Sequence, residues 1–169
     1  SAGSPRKEGL EPETSVNTQK KLLPGKSPGK VSDVDDPVFV DTNVFLRFFV
    51  KDVESLYEKA RALFEKAEAG RIKLETSELV VAEIVWVLES FYGFARKEIT
   101  DVLTTLLSSR NLKIANHART NDAVALYSSG NMDFIDAYNI AYMRSKAYTK
   151  VATFDSRHFK KIEGITIVW

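Results

Sequence analysis

The stretch that decides the fold is VFVDTNVFLRFFV, residues 38–50. A short apolar run, of the kind that forms a buried strand, leads into Asp41, and a helical pattern of large apolar side chains follows at once. Asp41 therefore stands where a strand ends and a helix begins. Its carboxylate can cap the helix, as Thr42 or Asn43 can instead. It can also face a ligand, because ligands of parallel sheets bind beyond the carboxyl ends of the strands.

The chain after Pro37 continues to alternate short strands with helices. Further strands are predicted at 71–75, 112–116, 150–154 and 165–169. Further helices are predicted at 54–70, 76–93, 96–110, 121–130 and 133–148, with a short helix or turn at 155–162. No tight hairpin signal interrupts this alternation. We therefore expect an α/β fold, a three-layer α/β/α sandwich built on a mainly parallel sheet.

Residues 1–36 differ from residues 37–169. The first segment holds four of the five prolines of the chain, no aromatic residue, and six Lys or Arg against six Asp or Glu. Such a segment buries too little apolar surface to offset its ordering entropy. We expect a flexible N-terminal arm, part of it (SAGS) an expression remnant, before one globular domain. An alternative is that Leu22 and Leu23 dock the arm on a partner or on the domain itself.

Composition excludes several classes of protein. No apolar run approaches the roughly 20 residues that span a bilayer, and the N-terminus lacks the apolar segment of a secretory signal. The absence of cysteine excludes disulfides and thiolate metal sites and is in keeping with the cytoplasm. The net charge of +1 gives no global attraction to nucleic acid, so any such binding depends on local patches.

Four carboxylates have mainly apolar neighbours in the sequence. Asp41 and Asp155 end apolar strands, whereas Glu83 and Asp136 interrupt apolar helices. Each has a structural explanation: Asp155 can cap a helix, and Asp136 lies in a first turn, where the helix dipole tolerates acids. Asp133 is well placed as the cap of that same helix. Glu83 is harder to explain, because we expect its apolar neighbours to shield it from water.

If these acids converge, their like charges require a raised pKa or a counter-cation. The two histidines, His117 and His158, form no cluster in the sequence. Oxygen ligands without thiol or imidazole select Mg²⁺ or Mn²⁺. These ions bind phosphates, so the pattern predicts metal-assisted phosphoryl chemistry.

Four blocks of sequence carry a family resemblance: FVDTNVFLRFF, VVAEIVWVLESFYG, MDFIDAYNIAYM and VATFDSRHF. Together they resemble the PIN-domain ribonucleases, in particular the VapC-type toxins of toxin–antitoxin pairs, over about residues 37–169. The resemblance implies a parallel five-stranded sheet with helices on both faces. It also implies an endoribonuclease that uses Mg²⁺ or Mn²⁺ to hydrolyse RNA. The implied partners are RNA, a cognate antitoxin and a second copy of the chain, with no membrane.

The resemblance assigns roles to individual residues. The catalytic and metal-binding quartet falls on Asp41, Glu83, Asp136 and Asp155. Asp133 corresponds to an additional metal-binding acid, and Asn43 and Thr153 correspond to residues that support the site.

Substrate approach to an acidic site needs nearby cations. The candidates for RNA binding are Arg47, Arg96, Arg144, Lys146, Lys150 and Arg157. Phosphate contacts of this kind give affinity without sequence information, although each cation alone can equally be a solvated surface residue. Tyr138, Tyr142 and Phe154 can stack on bases, but for Phe154 packing in the core is the stronger expectation.

Other functions remain open at this point. A housekeeping RNA-processing nuclease would share the same residues, and a PIN-like module without turnover would share the fold. The retention of all four acids favours an enzyme. A phosphatase with an aspartyl nucleophile would need a second acid two residues after Asp41, where the chain has Asn43.

Overall fold

The computed structural model describes residues 36–169, so nearly all of the predicted arm lies outside the described residues. The twelve described elements alternate in the predicted order. They are β1 (Val38–Phe39), α1 (Thr42–Val50), α2 (Glu54–Glu68), β2 (Leu74–Thr76), α3 (Glu78–Ser90), α4 (Arg96–Ser108), β3 (Leu112–Ile114), α5 (His117–Ser129), α6 (Phe134–Ser145), β4 (Lys150–Val151), α7 (Ser156–Phe159) and β5 (Thr166–Ile167). The predicted α/β class with parallel strands is confirmed.

The described strands form two parallel sheets. One has the order β1-β2-β3, and the other pairs β4 with β5. The structure therefore differs from the single five-stranded sheet that the resemblance implied. Each strand has only two or three residues, which offers few ladder hydrogen bonds, and both residues of β1 are exposed. Little burial is available there to extend the pairing.

Two helix starts differ from prediction because of local hydrogen bonds. Ser77 caps α3, its Oγ accepting from the Val80 amide at 3.3 Å. Thr76, where the predicted helix starts, is instead buried in β2 and donates to the Val40 carbonyl at 2.8 Å. This bond ties β1 to β2 at their carboxyl ends. Helix α5 begins earlier than predicted, because Asn116 adopts a left-handed conformation that turns the chain into the helix.

A single apolar cluster joins the strands to the helices. Val40 and Leu74 of the sheet belong to it, as do Phe45 of α1, Ile84 of α3 and Ile140 of α6. Burial of each such side chain contributes about 1.5–3 kcal/mol. This core fixes the starts of α1, α3 and α6, which carry the predicted acids. In the part of the chain that the structure describes, no helix is long and apolar enough to cross a bilayer.

Candidate active site

Two of the predicted acids meet a histidine where α6 and α7 begin. Asp136 lies in the first turn of α6, Asp155 precedes α7, and His158 lies within α7. One ligand atom from each of the three lies within 4.8 Å of the others. The Nε2 atom of His158 is 3.9 Å from a carboxylate oxygen of Asp136. Donors at this spacing can hold one divalent cation.

The surroundings shift the pKa values of Asp136 and Asp155 in opposite directions. Burial raises the pKa of Asp136, and the negative charges of Asp133 and Asp155 raise it further, against the opposing effects of His158 and Arg157. In contrast, hydrogen bonds from Arg157 hold the pKa of Asp155 below its usual range. A cation bound here would relieve the crowding at Asp136.

Capping is observed for three of the acids. Asp41 caps α1 by accepting from the Asn43 amide at 3.3 Å. Asp133 caps α6 by accepting from the Asp136 amide at 2.8 Å. Asp155 caps α7 by accepting from the Arg157 amide at 3.3 Å. At Asp41 and Asp133 the bonds engage one carboxylate oxygen, so the second oxygen can still face a ligand. Arg157 engages both oxygens of Asp155, and a cation bound there would compete with this arginine.

The two predicted supporting residues contact their acids directly. The Asn43 side chain donates to the Asp41 carboxylate at 3.3 Å. The Thr153 hydroxyl accepts from the Asp155 amide at 3.1 Å. The first contact orients the Asp41 carboxylate, whereas the second holds the backbone of Asp155.

Glu83 is exposed, so the expectation that apolar neighbours shield it is wrong. Helix α3 turns this face toward solvent, leaving Leu79 78% and Trp86 66% exposed. The hydroxyl of Thr42, which is buried, donates to the Glu83 carboxylate. This bond places Glu83 beside the residue that follows Asp41.

Predicted acids line two clefts. Glu83 and Asp133 line one of about 420 Å³, together with Trp86. Asp136 and Thr153 line another of about 420 Å³. Asp41, Glu83 and Asp133 lie outside the group whose ligand atoms are within 4.8 Å. Of the predicted quartet, the structure therefore brings only Asp136 and Asp155 together at this spacing.

Residues 38–165 match the PIN domain family. The chain belongs to this family. It is also 28% identical, over 128 residues, to a protein named VapC ribonuclease from Aquifex aeolicus (strain VF5). That alignment covers 76% of this chain and 93% of the relative. The resemblance predicted from the four sequence blocks is confirmed.

The cations predicted to bind RNA fall into two groups in this PIN domain. Three arginines already have protein partners. Arg47 pairs with Asp52, and Arg144 lies 3.2 Å from Asp122. Arg96 donates to two backbone carbonyls at 2.7 Å and lies 4.2 Å from the ring centre of Tyr127.

The other predicted cations are more open to a ligand. Lys146 and Lys150 are exposed, and Lys150 lines the cleft that contains Asp136. Arg157 is exposed and engages Asp155 at 3.2 Å. No observation tests RNA binding by these cations, so that remains a prediction for all six.

A polar network positions α6 in the PIN domain. Glu78, the first residue of α3, accepts from the Asn116 side chain at 2.6 Å and from the Tyr138 hydroxyl at 3.2 Å. Burial raises the pKa of Glu78, but hydrogen bonds from its backbone, Asn116 and Tyr138 outweigh burial, so the pKa lies below its usual range. The network joins α3, the β3–α5 turn and α6, which carries Asp136.

Sequence reasoning missed His158, and it placed Phe154 wrongly. The signal for His158 was its position three residues after Asp155, which is one helical turn. Phe154 was expected in the core but is 96% exposed. Strand β4 ends at Val151, so strand alternation does not turn Phe154 inward.

Proposed function

We propose that this PIN domain is a divalent-metal-dependent endoribonuclease that hydrolyses RNA phosphodiester bonds. The observation that carries the proposal is the group of Asp136, Asp155 and His158 within 4.8 Å. Two carboxylates and an imidazole are donors that divalent cations accept. The name of the A. aeolicus relative, VapC ribonuclease, supports RNA as the substrate.

The donor set fits the predicted Mg²⁺ or Mn²⁺. Carboxylate oxygens suit both ions, whereas Mg²⁺ prefers ligands that are all oxygen. The His158 nitrogen therefore favours Mn²⁺ where it binds directly. The raised pKa of Asp136 supports a resident cation, because the folded chain crowds negative charge there.

The residues have separate roles in this proposal. Asp136, Asp155 and His158 would hold the ion, which, when bound, lowers the pKa of a water and neutralises charge on the scissile phosphate. Asp41 and Glu83 are the other members of the predicted quartet, and the bond from Thr42 to Glu83 brings Glu83 to the residue that follows Asp41.

The groups around the ion have supporting roles. Asp133 lines the cleft beside Glu83 and could orient water there. Arg157, which is exposed beside Asp155, is the cation best placed to contact the substrate phosphate.

A nuclease assay tests the proposal. The wild type should cleave structured RNA with Mn²⁺ or Mg²⁺ and lose this activity in EDTA. Asp136→Asn and Asp155→Asn should be inactive, whereas Asp101→Asn, which removes an exposed acid on α4, should cleave normally. Water attack leaves no 2′,3′-cyclic phosphate, so end-group analysis of the products checks the mechanism. Full activity in EDTA, or in Asp136→Asn, would rule out the metal mechanism.

We further propose that the chain is the toxin of a toxin–antitoxin pair. The alignment with the VapC ribonuclease spans 93% of that protein, which supports a shared role. A groove of about 510 Å³ between α1 and α2, lined by Val44, Leu56 and Leu63, could receive an apolar segment of the antitoxin. Asn43 at its edge lies beside Asp41, so an occupant would reach the acids.

Induction in cells tests the biological role. A toxin should arrest growth, and the product of a neighbouring gene should relieve the arrest and co-purify with the chain. Leu56→Glu should weaken that co-purification while leaving RNA cleavage intact. Growth without arrest would favour the alternative of a housekeeping RNA-processing nuclease. A folded chain that binds RNA but never cleaves it would favour the silent PIN-like module.

Three further family features stay predictions. A homodimer, a cytoplasmic location without membrane association, and a three-layer α/β/α arrangement are all expected from the resemblance. Light scattering of the purified chain tests the first.

A further inference from the structure

Two large aromatic side chains are exposed together after β4. Phe154 is 96% and Trp169 is 68% exposed. Their ring centres are 5.5 Å apart, with an angle of 33° between the ring planes. A single exposed apolar residue needs no explanation, but two rings in contact form a continuous apolar face. We call this pair the aromatic platform.

The aromatic platform is tied to a proposed metal ligand. Phe154 directly precedes Asp155 in the chain. The indole nitrogen of Trp169 donates to the Thr153 carbonyl at 3.2 Å. The Thr153 hydroxyl in turn accepts from the Asp155 amide at 3.1 Å. These bonds hold Trp169 against the backbone segment that carries Phe154 and Asp155.

The surroundings select the chemistry of the ligand. Exposed cations, Arg157 and Lys150, flank the segment that carries the aromatic platform. A ligand that suits these features has a flat apolar face joined to a negative group. An unpaired nucleotide has both, because its base stacks on aromatic rings and its phosphate contacts cations.

We infer that Phe154 and Trp169 stack an unpaired RNA base next to the scissile phosphate. The inference rests on the proposed nuclease function, and it assigns a base-stacking role to two residues that lie outside the group of Asp136, Asp155 and His158. Stacking tolerates any base, so the platform would select exposed bases over paired ones without reading sequence.

Binding without catalysis tests the inference. The chain has two tryptophans, so Trp86→Phe leaves Trp169 as the only one. In EDTA, which prevents metal-dependent cleavage, a short oligouridylate should quench Trp169 fluorescence. Phe154→Ala should weaken this binding about tenfold, within the range for loss of one stacked base. Phe154→Tyr should retain the affinity, since its ring still stacks.

A matched control and an abasic probe separate stacking from other effects. Phe91 is 77% exposed and contacts Tyr92, away from Asp155 in the chain, so Phe91→Ala should bind like the wild type. An abasic ribose-phosphate oligomer should bind wild type and Phe154→Ala equally, because it has no base to stack. Equal loss of affinity for both probes would overturn the inference.

The outcomes distinguish failure of the platform from failure of the nuclease. If the wild type cleaves RNA and Phe154→Ala binds and cleaves like Phe91→Ala, the platform is refuted and the nuclease stands. If the wild type cleaves nothing, the quenching experiment still decides whether a base stacks on Trp169. If Phe154→Ala changes self-association in light scattering but not oligouridylate binding, the pair is a protein contact and the inference is wrong.

Discussion

The Asp136→Asn substitution should stabilise the metal-free protein. When a metal is added, the variant should become less stable than the wild type. Burial and the charges of Asp133 and Asp155 raise the pKa of Asp136, so the folded chain holds this proton more tightly than the unfolded chain does. Ionised Asp136 therefore lowers the free energy of unfolding at neutral pH. This penalty is absent below pH about 4, where folded and unfolded chains are both protonated.

The size of the effect in metal-free protein follows from two opposing terms. Asn removes the penalty of crowded charge, and relief of such a conflict is worth about 0.5–2 kcal/mol. Asn also removes an acid from the first turn of α6, which costs about 0.3–1 kcal/mol. We expect the first term to be larger, so the free energy of unfolding should rise by about 1 kcal/mol and Tm by about 4 °C.

Metal should invert this order. At a Mn²⁺ concentration 100-fold above Kd, binding stabilises the wild type by about 2.7 kcal/mol. Asp136→Asn keeps one oxygen donor but removes the negative charge from one of the three grouped ligands, so it should gain much less from the same Mn²⁺. The variant should therefore melt above the wild type in EDTA and below it in excess Mn²⁺.

Thermal unfolding with EDTA and with Mn²⁺, at pH 7 and at pH 4, measures both effects. Asp101→Asn is the control, because Asp101 forms only an exposed pair with Lys97 at 2.8 Å, which is worth less than about 1 kcal/mol. It should respond to Mn²⁺ as the wild type does. The reasoning is refuted if Asp136→Asn is the less stable protein in EDTA, or if Mn²⁺ stabilises it as much as the wild type.

Three further substitutions probe the rest of the site. Asp41→Asn keeps an oxygen that can cap α1, so the circular dichroism spectrum should be unchanged. The rate of Mn²⁺-dependent cleavage should fall more than about tenfold. Normal turnover would show that Asp41 is not part of the active site. Arg157→Gln removes the cation that engages Asp155, so calorimetry should show tighter Mn²⁺ binding. The slope of log RNA affinity against log salt concentration should fall by about one. An unchanged slope would show that Arg157 does not contact phosphate. Arg96→Met removes two hydrogen bonds to carbonyls, so urea unfolding should show a free energy of unfolding lower by about 2–4 kcal/mol. The RNA affinity of the folded protein should be unchanged. Weaker RNA binding at unchanged stability would instead support the predicted RNA contact.

The order and type of the elements could be predicted from sequence because they depend on local periodicity. Helices such as α4 carry their apolar stripe in the chain itself, and its buried residues are those that spacing indicates, including Ile99 and Leu103. Strand pairing is a long-range property. The division into a three-stranded and a two-stranded sheet depends on partners that no local pattern names.

The site was predictable where its residues follow strand ends, and it was not where function depends on packing between helices. Asp155 could be identified from the strand that precedes it. His158 could not be assigned a role until α6 and α7 were seen to bring it to Asp136. Likewise, the exposure of Glu83 depends on which face of α3 the sheet and α1 cover. The sequence of α3 alone does not show which of its faces other elements cover.

Capping and metal binding are compatible explanations for most of the acids, and this compatibility helps the fold to tolerate a charged site. Asp41, Asp133 and Asp155 each face the positive end of a helix dipole through a cap, which offsets part of their repulsion without a metal. Asp136 caps no helix, and it is the acid among them whose pKa is raised. Its charge is therefore the one that local structure leaves least compensated. The cation that we propose would compensate this charge, and the stability of Asp136→Asn with and without Mn²⁺ tests that explanation.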